Sequence, residues 1–472
     1  MHIVFAAAEA APFAKVGGLA DVAGSLPQAL AALGHEVTLY LPLHGTIDRA
    51  RFGIPDDGPV RSVPYGASSA RVSYPAIARD GVRIVFVSSA RRIARGVVYG
   101  APDDNKRYAF FCRAVYEDVQ GSPPDVVHAH DWHAALLVPL VRRARSLART
   151  ATVFTIHNLA YQGRTSADVL KLIGLPRARL AIEDPNECNP MARAIATADR
   201  VSTVSQRYAR EILTPAFGER LEGLLATRKD RLSGIVNGID TIAFDPARDP
   251  HIAAPYSVDD PSGKARDKEA LQIEGGLRPD PAAPLFGVVG RLVEQKGIDL
   301  LTAAAPHLLE AGGQLVVLGS GDPAYEARWK ELASRHAGRL WLRLGFDAAL
   351  AQRIYAGSDL FLMPSRFEPC GLGQLISFRY GTIPVVHAVG GLAETVRDVD
   401  AHPADGNGFA FGRYAADPFS EAIDRAMGRY RAGGEEWRGL VRRAMSEDHS
   451  WDASARRYVE LYRKAVRTRR SS

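Results

Sequence analysis

Apolar and polar positions along the chain alternate between two patterns. Short, almost continuous apolar runs read as buried strands: HIVFAAA from His2, HEVTLYLP from His35, VRIVFVS from Val82, PDVVHAH from Pro124, ATVFTIH from Ala151, RVSTVS from Arg200 and LSGIVNGID from Leu232. Between them lie stretches of helical spacing, such as Leu19, Val22, Ala23, Leu26 and Leu30. Strands that alternate with helices imply parallel pairing and a sheet covered on both faces. After Asp240 the periodicity fades, and a segment rich in Pro, Asp, Gly and Lys reads as an interdomain connection. The alternation then restarts with PLFGVVGRL, QLVVLGSGD, LWLRLGF, LFLMPSR and IPVVHAVGG. Two doubly wound α/β units are expected, over residues 1–243 and 285–447, joined by 244–284. Residues 448–472 form an amphipathic helix with Tyr458, Leu461 and Val466 on one side, free to pack back on either unit and assigned here to the N-terminal one.

Composition narrows the class. The 472 residues are 46% hydrophobic and 24% charged, an ordinary globular balance too long for a single domain of common size. A net charge of +6 is spread without a dense basic run before the terminal TRRSS, which disfavours nucleic acid and suits small phosphorylated ligands equally well. Cys112, Cys188 and Cys370 match neither a disulfide framework nor a zinc module, so a reducing cytoplasm is expected. The N-terminal MHIVFAAAEAAPFA has no leading Lys or Arg and carries Glu9 within its apolar part, against a signal peptide. No apolar run approaches the ~20 residues of a membrane span.

Polar residues cluster where strands end, which in such sheets is where ligands bind. AKVGGLADV places Lys15, Gly17 and Gly18 at a strand-to-helix junction, where free amides, the helix dipole and a cation together suit an anion. The bland alternative is a plain turn with a solvated lysine. GVVGRLVEQKG puts Arg291 and Lys296 in one loop; a planar guanidinium fork and a compact ammonium suit a diphosphate. In PSRFEPCGLGQL a helix is expected to open at Gly371, and the amides of Gly371, Leu372 and Gly373 offer a second phosphate cradle. The Glu368 carboxylate beside it suits a polyhydroxyl group, or else caps the helix.

Elsewhere, PDVVHAHDWHA carries His128, His130, Asp131 and His133, TIHNLAYQG carries His157 and Asn158, and IVNGID carries Asn237. Strand alternation sends His128 and His130 to one face without a fourth ligand nearby, so no metal site is expected. The first turn, AAAEAAP, has no GxGxxG, and the chain has neither a GxxxxGK[ST] loop nor a GxSxG elbow. Asp398 and Asp400 form a DxD in a polar loop and read as solvated.

With these residues in hand, the chain resembles the bacterial and plant glycogen and starch synthases, glycosyltransferase family five. KVGGLADV, HAHDWHA, TIHNLAYQG, VNGID, GRLVEQKG, LGSGDP, RIYAGSD, PSRFEPCGLGQL, YGTIPVV and GGLAETV occur in family order from Met1 to about Tyr462. The resemblance implies a GT-B fold, two Rossmann-like domains facing each other across a deep cleft, and an enzyme without cofactor. It also implies transfer of α-glucose from ADP-glucose to the non-reducing end of an α-1,4-glucan with retention of configuration.

By the same resemblance Lys15 and the Gly17 and Gly18 backbone would meet the donor diphosphate, with Asp21 near the ribose and Arg291 and Lys296 on the same diphosphate. Cys370, Gly371, Leu372 and Gly373 would line the phosphates. Glu368 would hold the glucose 3- and 4-hydroxyls, His157 and Asn237 would engage the 6-hydroxyl region, Asn158 would also bind substrate, and Asp131 would lie near the acceptor. Phe346, where relatives usually carry Tyr, would stack on adenine. Catalysis would fall to His157, Glu368, Lys15, Arg291 and Lys296. Two departures stand out: Ile376, where some retaining relatives in other families carry a second Glu, and Gly373, where many relatives have Thr. Rival readings are a retaining transferase that uses UDP-glucose or a small acceptor, a catalytically weak glucan-binding protein and, last, a nicotinamide dehydrogenase.

Overall fold

The computed structural model describes residues 1–471. The chain divides into two compact units, Met1–Gly238 with Trp451–Ser472, and Ile239–Ser450.

The first unit is built on an eight-stranded sheet. Its strands are β1 (His2–Ala6), β2 (Glu36–Pro42), β3 (Ala76–Arg79), β4 (Val82–Val87), β5 (Val126–His130), β6 (Ala151–Ile156), β7 (Arg200–Thr203) and β8 (Leu232–Gly234), in the order β8-β7-β6-β5-β1-β2-β4-β3. All pairs are parallel except β3 with β4. Every expected strand of this half is present. The antiparallel edge strand β3 and the hairpin Val60–Tyr65 with Ser68–Ser73 were not legible, because their buried residues are too sparse to set a period.

Helix Gly18–Ala32 buries Leu19, Val22, Ala23, Leu26 and Leu30, the stripe read from the sequence. These residues share one core with Trp451, Ala455, Tyr458 and Tyr462 of the last helix, Trp451–Arg470, which therefore belongs to the first unit.

The second unit holds a six-stranded parallel sheet. Its strands are β9 (Leu285–Val289), β10 (Gln314–Gly319), β11 (Leu340–Leu344), β12 (Leu360–Met363), β13 (Ile383–His387) and β14 (Phe409–Phe411), ordered β11-β10-β9-β12-β13-β14.

The expected boundary at 243 and the expected connection 244–284 both need correction. The division falls after Gly238, and residues 244–284 are packed structure of the second unit. Tyr256, Leu271 and Leu277 are buried, and Leu271 joins Leu285, Val316 and Ile354 in a core under helix Gly263–Glu274. The segment hides its packing from a periodicity reading because much of its anchoring is polar. Lys264 Nζ donates to the Ala356 and Tyr380 carbonyls at 2.9 Å each and to Thr382 Oγ1 at 2.8 Å. Lys268 Nζ lies 2.8 Å from Asp359. Burial pulls the Lys264 ammonium down to about 7.

Candidate active site

In the second unit the geometry centres on Glu368. Strand β12 ends at Met363, and the loop behind it brings Glu368 to 5% exposure. Its Oε2 accepts from Lys296 Nζ at 2.6 Å and from Ser365 Oγ at 2.9 Å. A buried carboxylate needs such partners, because desolvating an unpaired charge is costly.

Lys296 is delivered by a 3₁₀ turn, Glu294–Lys296, that ends at Gly297. Gly297 has φ +71°, and a Cβ there would meet the Pro364 carbonyl oxygen at 2.0 Å, so the turn lies directly against the end of β12. The Arg366 amide donates to the Gln295 carbonyl at 2.9 Å and fastens the same two loops. Arg291 is exposed and held lightly by Gln295 Oε1 at 3.1 Å, its guanidinium otherwise turned to solvent.

The glycine turn beside Glu368 is fixed by Gln374, whose Nε2 donates to the Cys370 and Gly371 carbonyls at 3.0 Å each. The helix that follows begins at Gly373, not Gly371. A Cβ on Gly373 would come within 3.0 Å of Phe361, so the departure to glycine matches a tight approach to β12. Ile376 is 7% exposed and supplies no carboxylate. Phe346 is 82% exposed, a large ring left in solvent at the end of β11.

Asp398 and Asp400 are not simply solvated. Arg425 pairs with both, at 3.1 Å to Asp398, and Arg429 reaches Asp400 at 3.4 Å. Burial by itself would raise the Asp398 carboxyl, but the Arg425 hydrogen bonds hold it below its usual range.

In the first unit, helix Gly18–Ala32 starts at the anticipated turn. Lys15 Nζ pairs with Asp21 Oδ1 at 2.6 Å, so these two candidates touch each other. The Gly17 amide, expected to face a phosphate, is taken. It and the Val16 amide donate to Glu9 Oε2 at 3.2 and 2.5 Å. Gly18, the first helical residue, keeps an amide with no intrahelical acceptor. Glu9 is 1% exposed, and burial raises its carboxyl above the usual range, opposed by the Tyr99 hydroxyl and the two amides. Sequence reasoning missed its hold on the candidate turn; the available signal was a carboxylate just past an apolar strand. Lys15, Val16, Thr46 and Tyr99 line an open hollow of about 460 Å³ beside it.

The ends of β5 and β6 lie side by side. Asp131, at φ +53°, turns its carboxylate onto the next strand, where Oδ1 accepts from the His157 amide at 2.7 Å and the Asn158 amide at 3.4 Å. Burial pushes this carboxyl up to about 7 despite those two bonds. His157 Nε2 and His130 Nδ1 are 2.9 Å apart, and burial pulls His157 down to about 3. His128 bonds outward to Tyr462 Oη at 2.9 Å and Thr155 Oγ1 at 2.6 Å. Asn158 Oδ1 accepts from the Ala160 amide at 3.0 Å and shapes the loop. Asn237 is 6% exposed with an Oδ1 that has no hydrogen-bond partner, a polar atom suited to a ligand donor.

Two parallel-sheet units, with cations and a buried carboxylate at strand ends, define a glycosyltransferase of the GT-B class. Residues 2–227 match the starch synthase catalytic domain, and residues 283–428 match the glycosyl transferases group 1. The chain is 45% identical to glycogen synthase 2 of Geobacter sulfurreducens over 100% of both chains. It is 47% identical to glycogen synthase of Anaeromyxobacter dehalogenans over 98% of this chain and 99% of the relative. The catalytic domain of starch synthase IV from Arabidopsis thaliana, solved bound to ADP and acarbose, superposes with a TM-score of 0.91 at 35% identity over 99% of each chain. The chain belongs to the glycogen and starch synthase family.

Proposed function

We propose that this protein elongates glycogen by moving α-glucose from ADP-glucose to the non-reducing end of an α-1,4-glucan, with retention and release of ADP. The observation that carries this reading is the full-length likeness to glycogen synthases, together with the Lys296–Glu368 pair of the donor loop.

On the second unit, Arg291, Lys296 and the amides of Gly371, Leu372 and Gly373 bind the donor diphosphate; on the first unit, Lys15 and the Gly18 amide offer a cation and a free donor suited to an anion. Cys370 lines the same turn. Asp21 holds Lys15 beside the ribose, Phe346 stacks on adenine, and Gly17 acts through Glu9 instead of touching phosphate directly. Glu368 accepts from the glucose 3- and 4-hydroxyls. His157 and Asn237, with Asn158 shaping the loop, meet the 6-hydroxyl region, and Asp131 faces the acceptor.

Cations and amides gathered at the diphosphate stabilise the negative charge that grows on departing ADP. The bond from sugar C1 to the β-phosphate oxygen breaks, and C1 bonds to the acceptor O4 on the same face. The proton of that hydroxyl passes to the leaving phosphate oxygen. Buried Ile376 is consistent with a path that uses no second carboxylate as nucleophile. The reaction is placed in the cytoplasm, and among the described residues no helix is long and apolar enough to cross a membrane.

Radiolabelled ADP-glucose supplied with glycogen tests the reading, with UDP-glucose and free glucose as competing donor and acceptor. Label entering glycogen from ADP-glucose is the expected result. Label carried only from UDP-glucose, or only onto glucose, would replace it with the rival transferase.

A further inference from the structure

His130 sits under His157 with its ring completely buried. It lies parallel to Phe5 at 5.3 Å and beside His128 at 4.0 Å between ring centres. Its Nδ1 is 2.9 Å from His157 Nε2, so one of these two nitrogens carries the shared proton. Its Nε2 is sealed from solvent and has no hydrogen-bond partner.

Those two facts choose the proton's place. If His157 donated to His130, the neutral His130 ring would carry its own proton on Nε2, a buried N–H without an acceptor. Buried orphan N–H donors are rarer than under-satisfied buried acceptors. With the proton on His130 Nδ1, only a bare lone pair is left inside, and neither ring of the pair buries an N–H without an acceptor. Burial holds both rings well below the ordinary imidazole range, so both are neutral. His157 then accepts at Nε2 and must carry its single proton on Nδ1, the ring nitrogen that is neither bonded nor sealed.

We propose that His130 is a positioning residue that locks His157 as the Nδ1–H tautomer, so that His157 presents a neutral hydrogen-bond donor to the sugar and cannot act as a base. The inference rests on the reading of His157 as a sugar-facing residue. It adds which atom faces the sugar and what keeps it there. Asp131 supplies the second constraint, since its carboxylate fixes the His157 backbone while His130 fixes the ring.

The test uses the full-length protein labelled with ¹⁵N-histidine. Long-range ¹H–¹⁵N spectra report which nitrogen of each neutral ring is protonated, and the His157 signals are assigned by their loss in His157→Gln. The expected result is a protonated Nδ1 on His157 in the wild type, with protonated Nε2 on His157 appearing in His130→Phe. An Nε2–H tautomer of His157 in the wild type overturns the proposal without reference to any variant's folding.

Kinetics supply the second arm. His130→Phe keeps ring volume and stacking but has no donor, and should lower kcat on the order of 10- to 100-fold with donor KM little changed. His130→Asn can return an N–H near the Nδ1 position and should recover most of the rate. Equal losses in the two variants, with native circular dichroism, would reduce His130 to a packing role and overturn the proposal. Full turnover in His157→Gln would instead sink the reading of His157 as sugar-facing, while the wild-type tautomer still decides what His130 does.

Discussion

Lys296 Nζ lies 2.6 Å from Glu368 Oε2, joining the loop after β9 to the loop after β12 through one charge-assisted hydrogen bond. In the proposed reaction the lysine binds phosphate while the carboxylate binds sugar, so the pair couples the two ends of the donor. Lys296→Ala removes a phosphate ligand and leaves Glu368 buried with Ser365 as its remaining close partner. A charge-assisted bond contributes about 1.5–3 kcal/mol, so kcat/KM for ADP-glucose should fall roughly 10- to 150-fold. Steady-state transfer onto glycogen measures it. Unchanged kcat/KM would remove Lys296 from the donor site.

Lys15 and Asp21 form an ion pair in which the lysine side chain is 41% exposed. Exposed pairs add little to stability, so Lys15→Ala should melt within a degree or two of wild type while transfer drops steeply. Thermal denaturation alongside the radiolabel assay separates the two effects. A matched loss of melting temperature and activity would make the pair structural.

Among the described residues, Phe346 is the one large ring near the second unit's strand ends that solvent reaches almost fully. Base–aromatic stacking is worth about 1–3 kcal/mol, so Phe346→Ala should raise the donor KM roughly 5- to 150-fold with kcat and stability preserved. Adenine is the moiety being tested. UDP-glucose turnover, if measurable, should change less than ADP-glucose turnover.

Acid should unfold the first unit through its histidines. Burial lowers His44 to about 4 and His157 to about 3, and holds His128, His130 and His133 well below 6.5. For a depressed pKa the stabilisation is complete above the unfolded value of 6.5 and is lost as pH falls toward the folded value. Asp131, raised to about 7, has the opposite sign, its contribution being present below 3.8 and lost as pH rises through 7. The imidazoles outnumber it, and each adds about 1.4 kcal/mol per pH unit between its two pKa values. Urea unfolding free energy should therefore fall from pH 7 to pH 5. His44→Gln, which can keep a bond to the Ala8 carbonyl, should flatten the slope by about one proton. A flat or rising profile would contradict neutral buried imidazoles.

Much of the frame was legible because parallel strands covered on both faces are continuous apolar runs, and the stripe from Leu19 to Leu30 is an unbroken helical face. Strand ends then supplied most of the candidate residues: Lys15, Asp131, His157, Arg291, Lys296 and Glu368 all follow such runs. The 244–284 segment was misread because its anchors Lys264 and Lys268 are cations satisfied by distant carbonyls, which leave no apolar period. The hold of Glu9 on the candidate turn was invisible because its partners, the Val16 and Gly17 amides, become neighbours only once the turn closes over it.

The sequence by itself determined the buried parallel strands, the presence of two units and the residue kinds available at each strand end, since those depend on period and on chemistry carried by single side chains. Tertiary structure alone decided the pairings: Lys296 with Glu368, Asp131 with the His157 backbone, and His130 with His157. The physical reason is that a hydrogen bond acts over about 3 Å, whereas the strands that carry its two ends become neighbours only through the order in which the sheet is laid down.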